Sequence, residues 1–190
     1  MRPPFQYARR VRTAESMTAE QLLALNLPDK RTELVRGRLV VREPAGFLHG
    51  DIAARIARLI ANHVHTYDLG RVLAAETGFK LFSKPDTVRA PDVAFIRRAR
   101  LPDPPPRGFA DFPPDLAVEV LSPGDRPGEV AEKVDDWLTA GCALVWVVDP
   151  IAVIAKVYRA DGSVSSVTAD GALDGEDVLP GFSLPLRELA

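Results

Sequence analysis

Apolar residues in two parts of the chain recur every three or four positions, which is the spacing of a helix with one buried face. The first part predicts a helix over about residues 50–67 that ends near Gly70. The second begins at Pro127, because the first turn of a helix tolerates proline, and continues to about Ala140. The apolar positions behind these predictions are Ile52, Ile56, Leu59, Ile60 and Val64 in the first helix and Val130, Val134, Trp137 and Leu138 in the second.

Strands are predicted where apolar residues alternate with polar ones or follow each other without interruption. Four segments have such patterns: residues 72–82, 92–96, 116–121 and 144–148. Residues 97–114 join the second and third of these strands and contain six prolines, which excludes a regular element. A connection of this length is either a wall of the functional site or a simple surface excursion.

Shorter elements are predicted near the two ends of the chain. Thr18 and Gln21 have the spacing of a capping box, so a short helix is expected after Thr18. Residues 31–41 predict a hairpin with its turn at Arg36-Gly37, and Asp161-Gly162 predicts a second hairpin. The tail beyond it has scattered turn residues and no recognisable chemistry.

Length and composition limit the class of protein. The chain has 190 residues, of which 46% are apolar, and this suits one globular domain with a real core. The single cysteine, Cys142, excludes an internal disulfide and a multi-cysteine zinc site. The most apolar stretches, residues 144–148 and 151–155, are far shorter than the roughly 20 residues of a membrane span. We therefore expect a cytoplasmic protein without membrane contact.

Charge is distributed unevenly although the net charge is only −2. Residues 1–110 carry 19 Lys/Arg and 11 Asp/Glu, whereas residues 111–190 carry 5 and 15. If the protein binds phosphates, the positive contacts should come largely from the first of these segments. The alternative is an uneven but merely solvated surface.

Two carboxylates interrupt strands that are otherwise apolar. Asp92 follows Pro91 at the start of one predicted strand, and Glu119 is the single charge of another. A buried carboxylate needs a partner, because an unpaired buried charge is costly. If the two strands are neighbours, both side chains meet at one point, where Mg²⁺ would find the oxygen ligands that it prefers.

Lys133 lies at the margin of the apolar face of the second helix, three residues after Val130 and four before Trp137. It therefore either reaches toward the structure that the helix covers or extends over the apolar seam to solvent. The acidic residues of the same helix, which are Glu132, Asp135 and Asp136, are expected to point away from the core.

Several segments together resemble the Uma2 family of restriction-endonuclease-like proteins, which is part of the PD-(D/E)XK nuclease superfamily. They are Thr32-Glu33-Leu34-Val35-Arg36-Gly37, His49, Arg89-Ala90-Pro91-Asp92-Val93, Val118-Glu119-Val120-Leu121-Ser122-Pro123, Lys133 and residues 140–150. The resemblance extends over nearly all of residues 18–158. It implies an α/β fold with a restriction-endonuclease-like core of order αβββαβ, in which helices flank a mixed central sheet. In these terms residues 1–45 add a helix and a hairpin, residues 46–160 form the nuclease core, and residues 161–190 form a C-terminal extension of the same domain.

The resemblance also implies a site. Asp92 and Glu119, with the carbonyl of Val120, would bind Mg²⁺ or Mn²⁺. The superfamily usually has a lysine two residues after the glutamate, where this chain has Leu121, and Uma2-like chains instead supply a lysine from the following helix, here Lys133. Glu33 and His49 would be further metal ligands or acid/base groups. For Glu33 the alternative is a pair with Arg36 or Arg38 across the hairpin, and for His49 it is a helix cap or a solvent-facing ring.

The function predicted from these residues is metal-dependent hydrolysis of phosphodiester bonds in DNA, with no organic cofactor. The alternative is a degenerate nuclease fold that binds nucleic acid or a protein partner without cutting, which the leucine at position 121 favours. A homodimer is expected, with the acidic C-terminal region and the strands of residues 144–158 as its surface.

Overall fold

The computed structural model describes residues 16–25, 27–28 and 30–189. The first 15 residues of the predicted N-terminal addition therefore lie outside the described residues. The helices are α1 (Ala19–Leu23), α2 (Phe47–Thr66) and α3 (Pro127–Thr139), with 3-10 turns at Arg98–Arg100 and Leu186–Leu189. The strands are β1 (Arg31–Val35), β2 (Arg38–Arg42), β3 (Gly70–Ala74), β4 (Phe79–Phe82), β5 (Thr87–Arg89), β6 (Val93–Arg97), β7 (Leu116–Val120), β8 (Leu144–Asp149), β9 (Ile154–Arg159), β10 (Val164–Val167), β11 (Ala172–Asp174) and β12 (Ser183–Pro185).

The largest sheet has six strands in the order β10-β9-β8-β7-β6-β3. Strands β7 and β8 are parallel, with α3 as the connection between them, and the other neighbours are antiparallel. The elements α2, β3, β6, β7, α3 and β8 therefore follow each other as helix, three strands, helix and strand. This confirms the predicted restriction-endonuclease-like core with a mixed sheet.

The two faces of this sheet are buried by different elements. Val93, Val118 and Trp146 point to the face that α2 covers, together with Ile56 and Ile60 of that helix. The opposite face packs against α3 through residues such as Ala117, Val145, Val134 and Trp137. Side chains along each strand point alternately to the two faces, as the sequence predicts. Glu119 follows Val118 and precedes Val120, and it points to the α3 side.

A second sheet has the order β2-β1-β5-β4 and was only half foreseen. The hairpin of β1 and β2 is confirmed. The single strand predicted over residues 72–82 is wrong: the chain leaves the large sheet after β3, adopts a left-handed conformation at Glu76 (φ 69°), and joins the second sheet as β4. Both halves are apolar, so the pattern of the sequence does not reveal the turn between them.

The C-terminal tail belongs to the main core. Strands β11 and β12 form a hairpin, and the apolar side chains of the tail pack on the α2 side of the large sheet. Leu173, Leu179, Leu184 and Leu186 are each at most 2% exposed. Apolar residues in the tail are separated by turns and have no period, so the sequence did not indicate that they are buried.

The proline-rich connection between β6 and β7 is fixed at both ends by one buried carboxylate. Asp115 accepts a hydrogen bond from the backbone N–H of Arg97 (2.9 Å) and pairs with Arg100 Nη1 (2.9 Å). Further along, Ala110 exchanges backbone hydrogen bonds with Gly78 and Lys80 beside β4. The connection is therefore held against both sheets. In the described part of the chain, no helix is long and apolar enough to cross a membrane.

Candidate active site

The two sheets meet where the chain passes from β5 to β6 through Ala90, Pro91 and Asp92. The register that pairs Val93 with Val118 makes Asp92 and Glu119 neighbours on adjacent strands. Both carboxylates are buried, at 7% and 8% exposure, and both line one open pocket of ≈ 200 Å³. The structure therefore brings the two predicted carboxylates together.

Asp92 is held by two donors at one of its oxygens. Its Oδ2 accepts a hydrogen bond from the backbone N–H of Val120 (2.7 Å) and lies 3.2 Å from Nε2 of His49. Although burial alone would raise it, the pKa of Asp92 is lowered by these two hydrogen bonds and by the nearby positive charge of Lys133. Asp92 is therefore ionised, and its other oxygen, Oδ1, lies 3.8 Å from Arg31.

Glu119 is held by α3, the helix that packs over its strand. Lys133 Nζ donates to Oε2 (2.8 Å), and the indole N–H of Trp137, one turn later, donates to Oε1 (2.9 Å). Burial raises the pKa of the Glu119 carboxyl from 4.5 to about 7; Lys133 opposes this rise, and the negative charges of Asp92 and Glu33 add to it. Glu119 therefore gains or loses its proton near neutral pH.

Lys133 points into the site, so the alternative in which it extends over the apolar seam to solvent is wrong. Its ammonium contacts Glu119 Oε2, the carbonyl oxygen of Ala90 (2.8 Å) and Glu33 Oε1 (3.0 Å). Burial alone would lower the pKa of Lys133, but the surrounding carboxylates outweigh this effect and raise it. The group is thus a permanent positive charge that joins three segments of the chain.

Glu33 comes from β1 and joins the site from the second sheet. Its Oε1 accepts the backbone N–H of Ala90 (3.0 Å) and its Oε2 accepts Arg89 Nη1 (3.1 Å). Burial alone would raise the pKa of Glu33, but Lys133 and Arg89 together lower it. The alternative of a pair with Arg36 or Arg38 is therefore wrong, and the carboxylate serves as a buried anchor for Lys133.

His49 lies in the first turn of α2 and is 8% exposed. It is neither a cap nor a solvent-facing ring, because its Nε2 contacts Asp92. Its other ring nitrogen, Nδ1, is buried and has no hydrogen-bond partner within the described residues. A buried polar atom without a partner is rare in folded proteins.

Arg89 and Asp136 complete the cluster, although sequence reasoning assigned a role to neither. Nε and Nη2 of Arg89 donate to Asp136 Oδ2 at 2.8 and 2.6 Å, and the two residues are each 3% exposed. The prediction that Asp136 points away from the core is wrong, because it faces the second sheet. The only indication in the sequence that Arg89 belongs to the site was its position in the same segment as Asp92.

The acids of the cluster are matched by bases. Glu33, Asp92, Glu119 and Asp136 are the buried acids, and Arg89 and Lys133 contact them. The more exposed Arg31 and Arg36 lie 3.8 Å from Asp92 and 3.6 Å from Asp136. Carboxylate oxygens are the donors that Mg²⁺ prefers, and Asp92 and Glu119 bring theirs to one pocket. No three His, Cys, Asp or Glu side chains among the described residues form a ready-made metal cage, so water and backbone carbonyls would complete the shell, as is usual for Mg²⁺.

Comparison with known proteins agrees with this architecture. The model of the family Uma2, described as "Putative restriction endonuclease", matches residues 19–187. A crystal structure described as "a putative nuclease belonging to DUF820 from Anabaena variabilis ATCC 29413" has the same fold, with a TM-score of 0.80 and 20% sequence identity over 91% of this chain and 97% of that one. No protein of curated function gives a significant match.

Proposed function

Because the chain belongs to the Uma2 family, whose description is "Putative restriction endonuclease", we propose that it is a divalent-metal-dependent nuclease that hydrolyses phosphodiester bonds in DNA. The observation that carries the proposal is the position of Lys133. This chain has Leu121 where the superfamily usually has its lysine, yet Lys133 supplies an ammonium 2.8 Å from Glu119. This position of an ammonium supports catalysis over the degenerate, non-cutting fold that Leu121 alone would favour.

The metal ligands in this proposal are Asp92, Glu119 and the carbonyl oxygen of Val120. The meeting of two carboxylates at one pocket supports a divalent ion, Mg²⁺ or Mn²⁺, because these ions prefer oxygen ligands. When bound, such an ion supplies a water of lowered pKa and compensates the charge that develops on the phosphate. The rest of the mechanism is assigned to side chains of the chain itself.

Lys133 has two tasks in the proposed reaction. Its ammonium offsets negative charge on the phosphate and orients the attacking water, which must approach in line with the bond that breaks. Glu33 keeps the ammonium in place, because it accepts from Lys133 and is itself fixed by Arg89 and the N–H of Ala90. His49 keeps Asp92 oriented through its Nε2.

A polyanionic substrate fits the rim of the pocket. Lys30, Arg31 and Arg42 line it on the side of the second sheet, and an entering phosphate would share them with their acidic partners Glu43, Asp92 and Glu129. Their positive charges lie where phosphates that flank the cleaved one would pass, and phosphate contacts of this kind dominate affinity for DNA. The basic surplus of the first 110 residues is thus used at the mouth of the pocket.

We further propose a homodimer, since a nuclease with one site per subunit needs two subunits to cut both strands of a duplex at once. The outer strands of the large sheet, β9 and β10, carry the exposed apolar side chains Ile154 (39%) and Val164 (56%), and Ile151 (69%) lies just before them. Sedimentation equilibrium at micromolar concentration should give twice the monomer mass, and a Val164→Lys variant should shift the protein toward monomer.

The nuclease proposal is tested with purified protein, Mn²⁺ or Mg²⁺, and supercoiled, linear and single-stranded DNA. Wild type should cut at least one form, EDTA should stop the reaction, and Asp92→Asn and Lys133→Met should each lower the rate by at least about 100-fold. Lys84→Met, which changes an exposed lysine of the turn between β4 and β5, is the matched control and should cut normally. Mn²⁺ binding that is lost in Asp92→Asn without any cleavage by wild type would instead favour a binding module.

A further inference from the structure

A second pocket adjoins the candidate active site, and nothing in the proposed chemistry uses it. Its volume is ≈ 350 Å³, and its walls are the proline-rich connection between β6 and β7, the end of α1 and the start of β4. Most of the lining is apolar, including Leu23 and Phe112. The volume falls within the roughly 300–1,000 Å³ of pockets that bind small organic groups.

Phe109 is the wall between the two pockets, since it and Gly78 line both. The ring lies directly on the backbone of Gly78, where any Cβ would clash with it. The neighbouring residue Ala110 fixes this arrangement, because its carbonyl accepts from Lys80 N–H (2.7 Å) and its N–H donates to the carbonyl of Gly78 (3.3 Å). A rigid aromatic ring therefore stands beside the proposed path of the substrate.

The charge of the second pocket is positive. Its lining within the described part of the chain contains Arg71 and Arg107, both exposed at the rim, and no acidic residue. An apolar pocket with aromatic walls and basic groups at its mouth suits a planar aromatic group that is attached to phosphates. That combination is the chemistry of a nucleotide within a strand.

We propose that this pocket is a subsite for one unpaired nucleobase of the strand whose phosphate lies at the carboxylate cluster. The proposal rests on the nuclease function proposed above and adds a binding determinant to it. The base would stack on Phe109, while Arg71 and Arg107 contact the adjoining phosphates. Enzymes that act on nucleic acids take up single bases in this way, from single strands or from a duplex by extrusion.

The test measures binding without cutting. In EDTA, fluorescence anisotropy gives the affinity of the full chain for single strands of about 12 nucleotides, a length within common site sizes, in which each position in turn is replaced by an abasic residue. One position should weaken binding to wild type by about tenfold or more, the order expected for one stacked base. A duplex series with 2-aminopurine at each position reports extrusion, because an unstacked 2-aminopurine brightens. If only the single-strand series responds, the pocket takes its base from single-stranded DNA. If the duplex series also responds, the pocket takes a base from duplex DNA as well.

Two variants test the location of the subsite. Phe109→Ala removes the stacking ring, and Leu23→Trp fills the pocket from its rim, where Leu23 is 54% exposed and a substitution is tolerated by the fold. Each should abolish the difference between normal and abasic strands. Leu27→Trp, in the same segment but outside both pockets, is the control and should retain it.

The proposal is overturned if no abasic position weakens wild-type binding by more than twofold, or if Leu23→Trp retains the full difference. Cleavage of unmodified DNA in Mn²⁺, measured in parallel, separates this proposal from the nuclease function. Cleavage without abasic sensitivity contradicts the subsite alone, and abasic sensitivity without cleavage contradicts the nuclease activity alone.

Discussion

Replacing Lys133 with methionine removes a buried ammonium while keeping most of the aliphatic side chain. The variant loses the contacts with Glu119, Glu33 and the carbonyl of Ala90. Breaking a buried ion pair by removing one partner costs roughly 3–5 kcal/mol, because the remaining charge is uncompensated. We expect a loss of about 3 kcal/mol in the free energy of unfolding at pH 5.5, at the lower end of this range.

The loss should be larger at pH 8, and the pKa of Glu119 determines by how much. In wild type the folded-state pKa is raised from 4.5 to about 7, so stability falls as pH rises from 4.5 to 7 and is then constant. Lys133 holds this pKa down, and without it the pKa rises further. The variant therefore keeps losing stability between pH 7 and pH 8, by about 1.4 kcal/mol per pH unit. We expect a total loss of about 4 kcal/mol at pH 8.

Urea unfolding in EDTA at pH 5.5 and pH 8, followed by tryptophan fluorescence, measures both values. Lys156→Met serves as the control for removing a lysine, and an exposed substitution of this kind should change stability by less than about 0.5 kcal/mol. Equal losses at the two pH values would refute the linkage between Lys133 and Glu119. A loss as small as that of the control would show that Lys133 is not held in the buried cluster.

Three further substitutions test the same cluster by urea unfolding in EDTA. Glu119→Gln removes the titrating group, so the fall of about 2 kcal/mol that wild type shows between pH 5.5 and pH 7 should disappear, whereas a persisting fall would assign it to another group. Trp137→Phe keeps an aromatic side chain but removes the indole N–H that donates to Glu119 Oε1. We expect a loss of about 1–3 kcal/mol at pH 8, and no loss would mean that the hydrogen bond is replaced by water. Asp136→Asn leaves Arg89 with half of its negative partners, so we expect a loss of about 3 kcal/mol at pH 7, and a change below 1 kcal/mol would contradict a buried pair.

The sequence alone was sufficient to identify the two carboxylates as candidate site residues, because each is a single acidic charge in a strand that is otherwise apolar. Asp92 and Glu119 stand out against residues that period-two alternation assigns to a buried face. A continuous apolar run predicted β8, the Asp161-Gly162 turn predicted the hairpin after it, and helical spacing predicted α2 and α3. These are local patterns, and each needs only a few neighbouring residues to be recognised.

The sequence alone could not show where the other polar side chains of the site point, because contacts between distant segments decide their direction. Lys133 lies at the margin of a helical face, and only the presence of Glu33 and Glu119 opposite it decides that it turns inward. Asp136 was expected at the surface because nothing in its own helix indicates a second sheet with a buried arginine. The half of that sheet formed by β4 and β5 escaped prediction because both strands are short, and β5 pairs with β1, which lies some 50 residues earlier in the chain.

The division of the site between two sheets has a consequence during folding. Glu33 and Arg89 belong to the four-stranded sheet, whereas Asp92 and Glu119 belong to the six-stranded one, and Lys133 joins the two. A partly folded chain in which only one sheet is formed therefore holds an incomplete set of groups. A site built in this way is complete only after the two sheets have docked, so the groups that it assembles can act together only at the last stage of folding.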